Sequence, residues 1–318
     1  MIRHFTLGCC ACAAAVLSLA ASSTAFGQIA FGVNAASELF HFNVNTPANV
    51  TVVGPVGFVP EGIDFRPGTM TLYAIDIGPN VSQLYTIDIA TAAATPVGAG
   101  FTSSGAGYDL TGNQTFGFDF NPKTLQADDS MRIRLVSTNN ANLRLNSSTG
   151  LIAAVDGNLQ FGSGASPFID AAAYINNIPE AGGVTALYDM DSRNNALLLQ
   201  DPPNAGTVST VGPFGATIAA ERNIHFDIFT TPGDADPTIG GDFGYAVLRR
   251  ANVSGGAYLL YNVDLATGAI TNGALVGPPA TPFDFDGGFA VLPIPEPTAA
   301  ALALAACAAA LRSRRRRR

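Results

Sequence analysis

One short segment returns five times along this chain, and no other feature limits the fold so tightly. It reads Leu39-Phe40-His41-Phe42-Asn43, Leu84-Tyr85-Thr86-Ile87-Asp88, Asn142-Leu143-Arg144-Leu145-Asn146, Leu197-Leu198-Leu199-Gln200-Asp201 and Leu260-Tyr261-Asn262-Val263-Asp264. Each copy is a short strand ending in Asn or Asp, whose side chains bond nearby backbone amides and start turns. A following strand tends to end in Val-Gly, at Val53-Gly54, Val97-Gly98, Val211-Gly212 and Val276-Gly277; the third copy has Val155-Asp156-Gly157.

Two further strands precede these in each full unit. They are Gly62 to Arg66 with Leu72 to Asp76, Gly117 to Asn121 with Met131 to Val136, Ile169 to Tyr174 with Thr185 to Asp191, and Ile224 to Ile228 with Phe243 to Leu248. The closing Asn/Asp positions 43, 88, 146, 201 and 264 lie 45, 58, 55 and 63 residues apart. Four-strand repeats of roughly 40–50 residues mark the blades of a β-propeller, and inserted loops such as Asp234 to Asp242 lengthen them here. The first unit is one strand short, opening directly at Ile29-Ala30-Phe31-Gly32-Val33, while an unassigned strand, Gly288 to Pro293, ends the series. This C-terminal strand is therefore predicted to complete the N-terminal unit and remove a major exposed sheet edge. The expectation is an all-β propeller of five blades, or six if a loop region hides strands; a β-sandwich is the alternative. No long segment has apolar residues at helical spacing, which agrees with an all-β chain.

The ends of the chain carry different information. Arg3 and His4 precede an apolar stretch from Phe5 to Ala21, and Ser22-Ser23-Thr24 leads to Ala25-Phe26-Gly27. A positive start, an apolar middle and small residues at −3 and −1 describe a secretory signal cut near Gly27. At the other end, Pro295-Glu296-Pro297 is followed by an apolar Ala/Leu segment, then Arg312-Ser313 and five arginines, Arg314 to Arg318. The apolar segment is short for a full span. The terminal arginines should stay cytoplasmic, leaving the upstream chain on the far side. The expected organisation is a signal peptide over 1–27, one domain over 28–294 and a sorting tail over 295–318, with delivery to the cell envelope or exterior.

The order of parts in the tail resembles the PEP-CTERM sorting signal of Gram-negative bacteria. The resemblance implies transient membrane anchoring through the C-terminal segment, with the export machinery and an exosortase as partners. A second resemblance spans most of the mature chain. Gly117-Phe118-Asp119-Phe120-Asn121-Pro122, Arg132-Ile133-Arg134-Leu135-Val136-Ser137, Asn142 to Asn146, Ala171 to Asn177 and Gln200 to Gly206 look like an exported bacterial domain family of unknown function. The inserted residues around Lys123 to Ser130 depart from that pattern. This resemblance supports the fold and brings no activity with it.

Composition narrows the chemistry. The cysteines are residues 9, 10, 12 and 307, so the expected mature domain has neither disulfides nor thiolate catalysis. Residues Gln28 to Ile294 hold nine Lys+Arg against twenty-three Asp+Glu, a formal charge of −14. Such a surface should repel nucleic acid and anionic lipid. The domain holds two histidines, His41 and His225, both inside alternating strands, and no Gly-x-Ser-x-Gly elbow; no nucleophile–base pair is recognisable. No catalytic residues and no cofactor are assigned. Asp234, Asp236 and Asp242, in a Gly/Pro-rich loop, are weak calcium candidates, since oxygen-rich loops suit that ion but these lack EF-hand spacing. Arg132, Arg134 and Arg144 alternate along neighbouring strands and form either a site for an acidic envelope glycan or an ion-pair cluster. Asp119, Asp128, Asp129 and Asp156 are the possible ion-pair partners. The reading is a non-catalytic binding or matrix component, with a secreted polysaccharide-acting propeller enzyme as the alternative.

Overall fold

The computed structural model describes residues 28–178, 184–216, 218, 224–231, 241–249, 257–278, 283 and 285–292. Alternating apolar residues form strands that hydrogen-bond to their chain neighbours, giving five small sheets, antiparallel except for one short outer strand. Blade 1 holds β1 (Ile29–Val33), β2 (Glu38–Asn43) and β3 (Thr51–Pro55). Blade 2 holds β4 (Gly62–Arg66), β5 (Thr71–Ile77), β6 (Val81–Ile87) and β7 (Ala94–Thr102). A two-stranded hairpin, β8 (Ser104–Gly105) and β9 (Tyr108–Asp109), leads to blade 3. That blade comprises β10 (Phe116–Asn121), β11 (Arg132–Ser137), β12 (Asn142–Asn146) and β13 (Ile152–Val155).

Blade 4 begins at its outer edge with β14 (Gln160–Phe161), then β15 (Ile169–Tyr174), β16 (Leu187–Asp191), β17 (Ala196–Gln200) and β18 (Thr207–Pro213). Blade 5 holds β19 (His225–Thr230), β20 (Asp242–Leu248), β21 (Leu259–Val263) and β22 (Ile270–Leu275). The last strand, β23 (Gly287–Val291), crosses back and pairs antiparallel with β1, Ala30 opposite Val291 and Phe31 opposite Ala290. The orphan strand thus supplies the missing inner strand of blade 1 and closes a five-bladed propeller. The short β14, parallel to β18, makes blade 4 a five-stranded sheet, one strand more than the repeat predicts.

The core is divided into five layers, one between each pair of adjacent blades. Phe31, Leu39, Ile63 and Leu72 fill the seam between blades 1 and 2; Ile75, Leu84, Phe118 and Ile133 fill that between 2 and 3. Met190, Leu197, Phe226 and Val263 lie between blades 4 and 5, and Phe40, Phe285, Phe289 and Leu260 between 5 and 1. Burying an apolar side chain of this size stabilises by about 1.5–3 kcal/mol, so the ring is held by side-by-side packing of sheets.

The Val-Gly repeat has a matching role at the outer rim. A Cβ on Gly98, which has φ +69°, would run into the carbonyl of Thr149 in the next blade's turn, and one on Gly212 would meet the carbonyl of Thr267. Continuing around the rim, the Gly157 amide donates to the Asn204 carbonyl (3.1 Å) and the Gly277 amide to the Pro47 carbonyl (3.0 Å). Several of the rim turns are set by the repeated Asn/Asp. The Asp88 carboxylate accepts from the Ala90 and Thr91 amides, that of Asp264 from Ala266 and Thr267, and the Asn146 side-chain oxygen from Ser148 and Thr149.

Candidate functional site at the propeller axis

The inner strands β4, β10, β15, β19 and β23 surround the axis. Three of them carry an Asp in the middle of an otherwise apolar run: Gly62-Ile63-Asp64-Phe65, Gly117-Phe118-Asp119-Phe120 and His225-Phe226-Asp227-Ile228. By hydrogen-bond position, Ala173 and Ala290 take the equivalent place in blades 4 and 1. Asp64, Asp119 and Asp227 are only 5%, 3% and 2% exposed. One carboxylate oxygen from each lies within 4.8 Å of the other two.

Each carboxylate accepts a hydrogen bond from the neighbouring blade. Asp64 takes the Phe120 amide (2.7 Å), Asp119 the Tyr174 amide (3.1 Å) and Asp227 the Val291 amide (2.6 Å). Asp64 and Asp227 also accept the amide of the following residue, Phe65 and Ile228, each at 2.6 Å. Burial pushes all three carboxyls up: Asp64 and Asp119 well above the usual carboxylate range, Asp227 to about 7. Negative charge on the other axial carboxyls raises Asp64 and Asp119 further, and the amide donors oppose the shift in all three.

A cavity of about 20 Å³ lies where the inner strands begin, lined by Glu61, Gly62, Gly117, Ala172, His225 and Gly288 among others. It has room for about one water molecule. Burial, then the charges of Asp286 and Asp76, pushes the Glu61 carboxyl up to about 7. Burial drives His225 down to about 4, against a hydrogen bond with the Phe285 backbone, so its imidazole is neutral at pH 7. Its Nε2 is buried without a hydrogen-bond partner. His41 lies on β2 beside the Phe31 ring, their centroids 5.4 Å apart.

The arginine cluster lies away from the axis, at the seam between blades 3 and 4. Arg134 is 1% exposed and donates to Tyr174 Oη (3.3 Å), Asn142 Oδ1 (2.7 Å), Asp156 Oδ2 (2.7 Å) and Asn204 Oδ1 (2.8 Å). Arg144 holds both oxygens of Asp156, each at 2.8 Å, and its side chain is 31% exposed. Arg132 donates to Ser130 Oγ at 3.3 Å. Of the four acids weighed as partners, Asp156 binds two of the arginines. Asp129 pairs with Arg66, Asp128 bonds Ser130 within its own loop, and Asp119 faces the axis.

Asp242, the first residue of β20, accepts from Thr230 Oγ1 (2.5 Å) and from the Asn176 amide (3.1 Å). Asp234 and Asp236 lie outside the described residues, as do Gly27 and the Pro295-Glu296-Pro297 motif. No described helix is long and apolar enough to cross a membrane. Sequence reasoning did not single out the axial Asp set, although an Asp at one position of three apolar inner strands was its signal.

A family model described as a domain of unknown function, DUF4394, matches residues 38–283. The chain belongs to this family. No curated protein matches it in sequence. Among solved structures, DUF4394 as seen in this chain is similar to a candidate exo-β-1,3-galactanase from Bifidobacterium bifidum s17, with 11% identity, a TM-score of 0.46, and 77% of this chain and 87% of that one covered. It is also similar to an auxiliary nutrient binding protein from Bacteroides thetaiotaomicron VPI-5482, with 15% identity, a TM-score of 0.35, and 72% and 55% of the two chains covered. The WD40 domain of SCAP from fission yeast gives 9% identity, a TM-score of 0.37, and coverage of 79% and 67%.

Proposed function

We propose that this DUF4394 domain is a non-catalytic binding or matrix component, exported by its N-terminal signal and delivered to the cell envelope or exterior by its PEP-CTERM tail. One observation carries the non-catalytic part: the axial carboxylates are already used to hold neighbouring blades together. A retaining glycosidase keeps its two carboxyls about 5–5.5 Å apart with a sugar between them, and an inverting one spaces them further. Here the three carboxyls converge within 4.8 Å and are buried, and none of them lines the cavity of about 20 Å³ at the start of the inner strands. A sugar ring does not fit in that space. The export part rests on the residues around Gly27 and on Pro295-Glu296-Pro297 with its arginine-rich end.

The test is expression in a Gram-negative host that has an exosortase, with and without residues 295–318. The full chain is expected in the envelope or medium, and the truncated chain retained at an earlier stage. Fractions are then assayed for hydrolysis and retention of an acidic-glycan panel. Distribution independent of the tail would refute the delivery reading. Polysaccharide cleavage lost on Asp119→Asn would refute the non-catalytic one.

A further inference from the structure

We propose that Asp64, Asp119 and Asp227 act as a proton-held clasp, keeping the ring shut while they share protons and loosening it when they ionise. The inference goes beyond the binding or matrix role and does not depend on it. The geometry gives the clasp leverage, because these side chains bridge three of the five inner seams: blades 2 to 3, 3 to 4 and 5 to 1. Buried carboxylates this close cannot all carry charge, and the stable arrangement retains protons on them.

No Lys or Arg among the described residues pairs with these three carboxyls; ion pairs instead join Arg66 to Asp129, and Arg134 and Arg144 to Asp156. Titratable and charged groups also stand on the surrounding strands. Tyr174 and Asp170 lie on β15, where Asp170 accepts from Thr115 Oγ1 and the Ser192 amide. Arg134 is the register partner of Asp119 on β11, Tyr73 that of Asp64 on β5, and Tyr245 that of Asp227 on β20. Tyr245 Oη donates to Gln28 Oε1. His225 lies two residues before Asp227 and is neutral at pH 7, Glu61 lies just ahead of β4, and β23 contributes no titratable side chain.

The upward pKa shifts fix the sign. A carboxyl raised in the folded state contributes fully below its unfolded value near 4, and that contribution is lost as pH rises through the folded value. For Asp227 that value is about 7, and for Asp64 and Asp119 it lies well above the usual range. The ring should therefore be tightest in mild acid and weaken toward alkaline pH.

The test is thermal unfolding of the full chain between about pH 5.5 and 8.5, followed by the tyrosine near-ultraviolet circular dichroism of this tryptophan-free protein. The wild type is expected to lose roughly 5 °C across that range. Asp119→Asn should keep the native spectrum and lessen this pH dependence, and infrared difference spectra against the wild type at pH 7 should show one fewer protonated carboxyl. Asp64→Asn serves as the second variant, and Asp88→Asn at an exposed rim turn should leave the slope unchanged. Unaltered pH dependence in both axial variants would overturn the proposal. So would wild-type pH dependence abolished by millimolar calcium, since a bound cation would then replace the proton.

Discussion

The seams on either side of blade 4 are built from opposite materials. Between blades 4 and 5, Ala173, Met190, Leu197, Phe226, Ile228 and Leu248 pack as an apolar layer. Between blades 3 and 4, the apolar cluster draws only Val136 and Leu159 from the described core of blade 3. The rest of that seam is a buried polar network around Arg134, joined by Asn142, Asp156, Tyr174 and Asn204, with Gln200 Nε2 donating to the Pro203 carbonyl. An apolar seam tolerates sliding and repacking of similar volumes. A polar seam is satisfied in one register only, because a displaced donor leaves its partner buried and unpaired. The contrast assigns packing strength to one side of blade 4 and register to the other.

The largest effect should come from Arg134→Ala, which strands the buried Asp156 and Asn142 acceptors and should cost about 3–5 kcal/mol in chemical denaturation. Leu197→Ala on the apolar side should cost about 2–5 kcal/mol, combining lost transfer energy with a cavity. The two seams should then separate in pairs. Arg134→Met combined with Asp156→Leu should lose less than the sum of the single losses, with coupling of about 0.5–3 kcal/mol, whereas Arg134→Met with Leu197→Ala should be nearly additive. Additivity in the first pair would show that the polar network does not act as a unit.

Asp189 offers a finer test from inside the polar seam. It is 0% exposed, and neither carboxylate oxygen has a hydrogen-bond partner. Burial holds its pKa well above the ordinary range, against the attraction of Arg134. Its contribution is therefore present below the unfolded value near 4 and declines as pH rises through the raised value. Asp189→Leu should stabilise the protein by about 1 kcal/mol at pH 7, with a larger gain at pH 8 than at pH 5. Destabilisation at every pH would mean that the carboxyl is needed in the seam. The smallest effect belongs to Arg144→Lys, which keeps the charge and breaks the bidentate grip on Asp156. At this partly exposed position the loss should stay below about 1 kcal/mol and shrink in high salt.

Much of the architecture was legible because it repeats locally. The Asn/Asp that ends the third strand sets a turn with its own neighbours at Asn43, Asp88, Asn146 and Asp264, and the rim glycines mark where the next blade's turn arrives; both occupy fixed places in a short pattern. The closing strand was legible by subtraction, since Gly288 to Val291 matched the one strand missing from the first unit. Asp64, Asp119 and Asp227 did not stand out, because each alone reads as one polar residue in an apolar strand. Only ring closure brings positions 64, 119 and 227 onto one axis. The choice of Asp156 for Arg134 was similarly hidden. Asp119 is its direct register partner on β10, but Asp119 turns toward Tyr174 on the next inner strand. The two-residue β14 is too short to have a period.

The pairing of β1 with β23 also sets an order of events in time. A chain made from its N-terminus presents β1 more than 250 residues before the partner of its open edge exists. Until Gly287–Val291 emerges, that edge is an invitation to other unfinished copies, and contacts so distant in sequence form slowly. Factors that hold unfinished chains apart should therefore matter most late in synthesis, after four blades are complete and just before the last inner strand arrives.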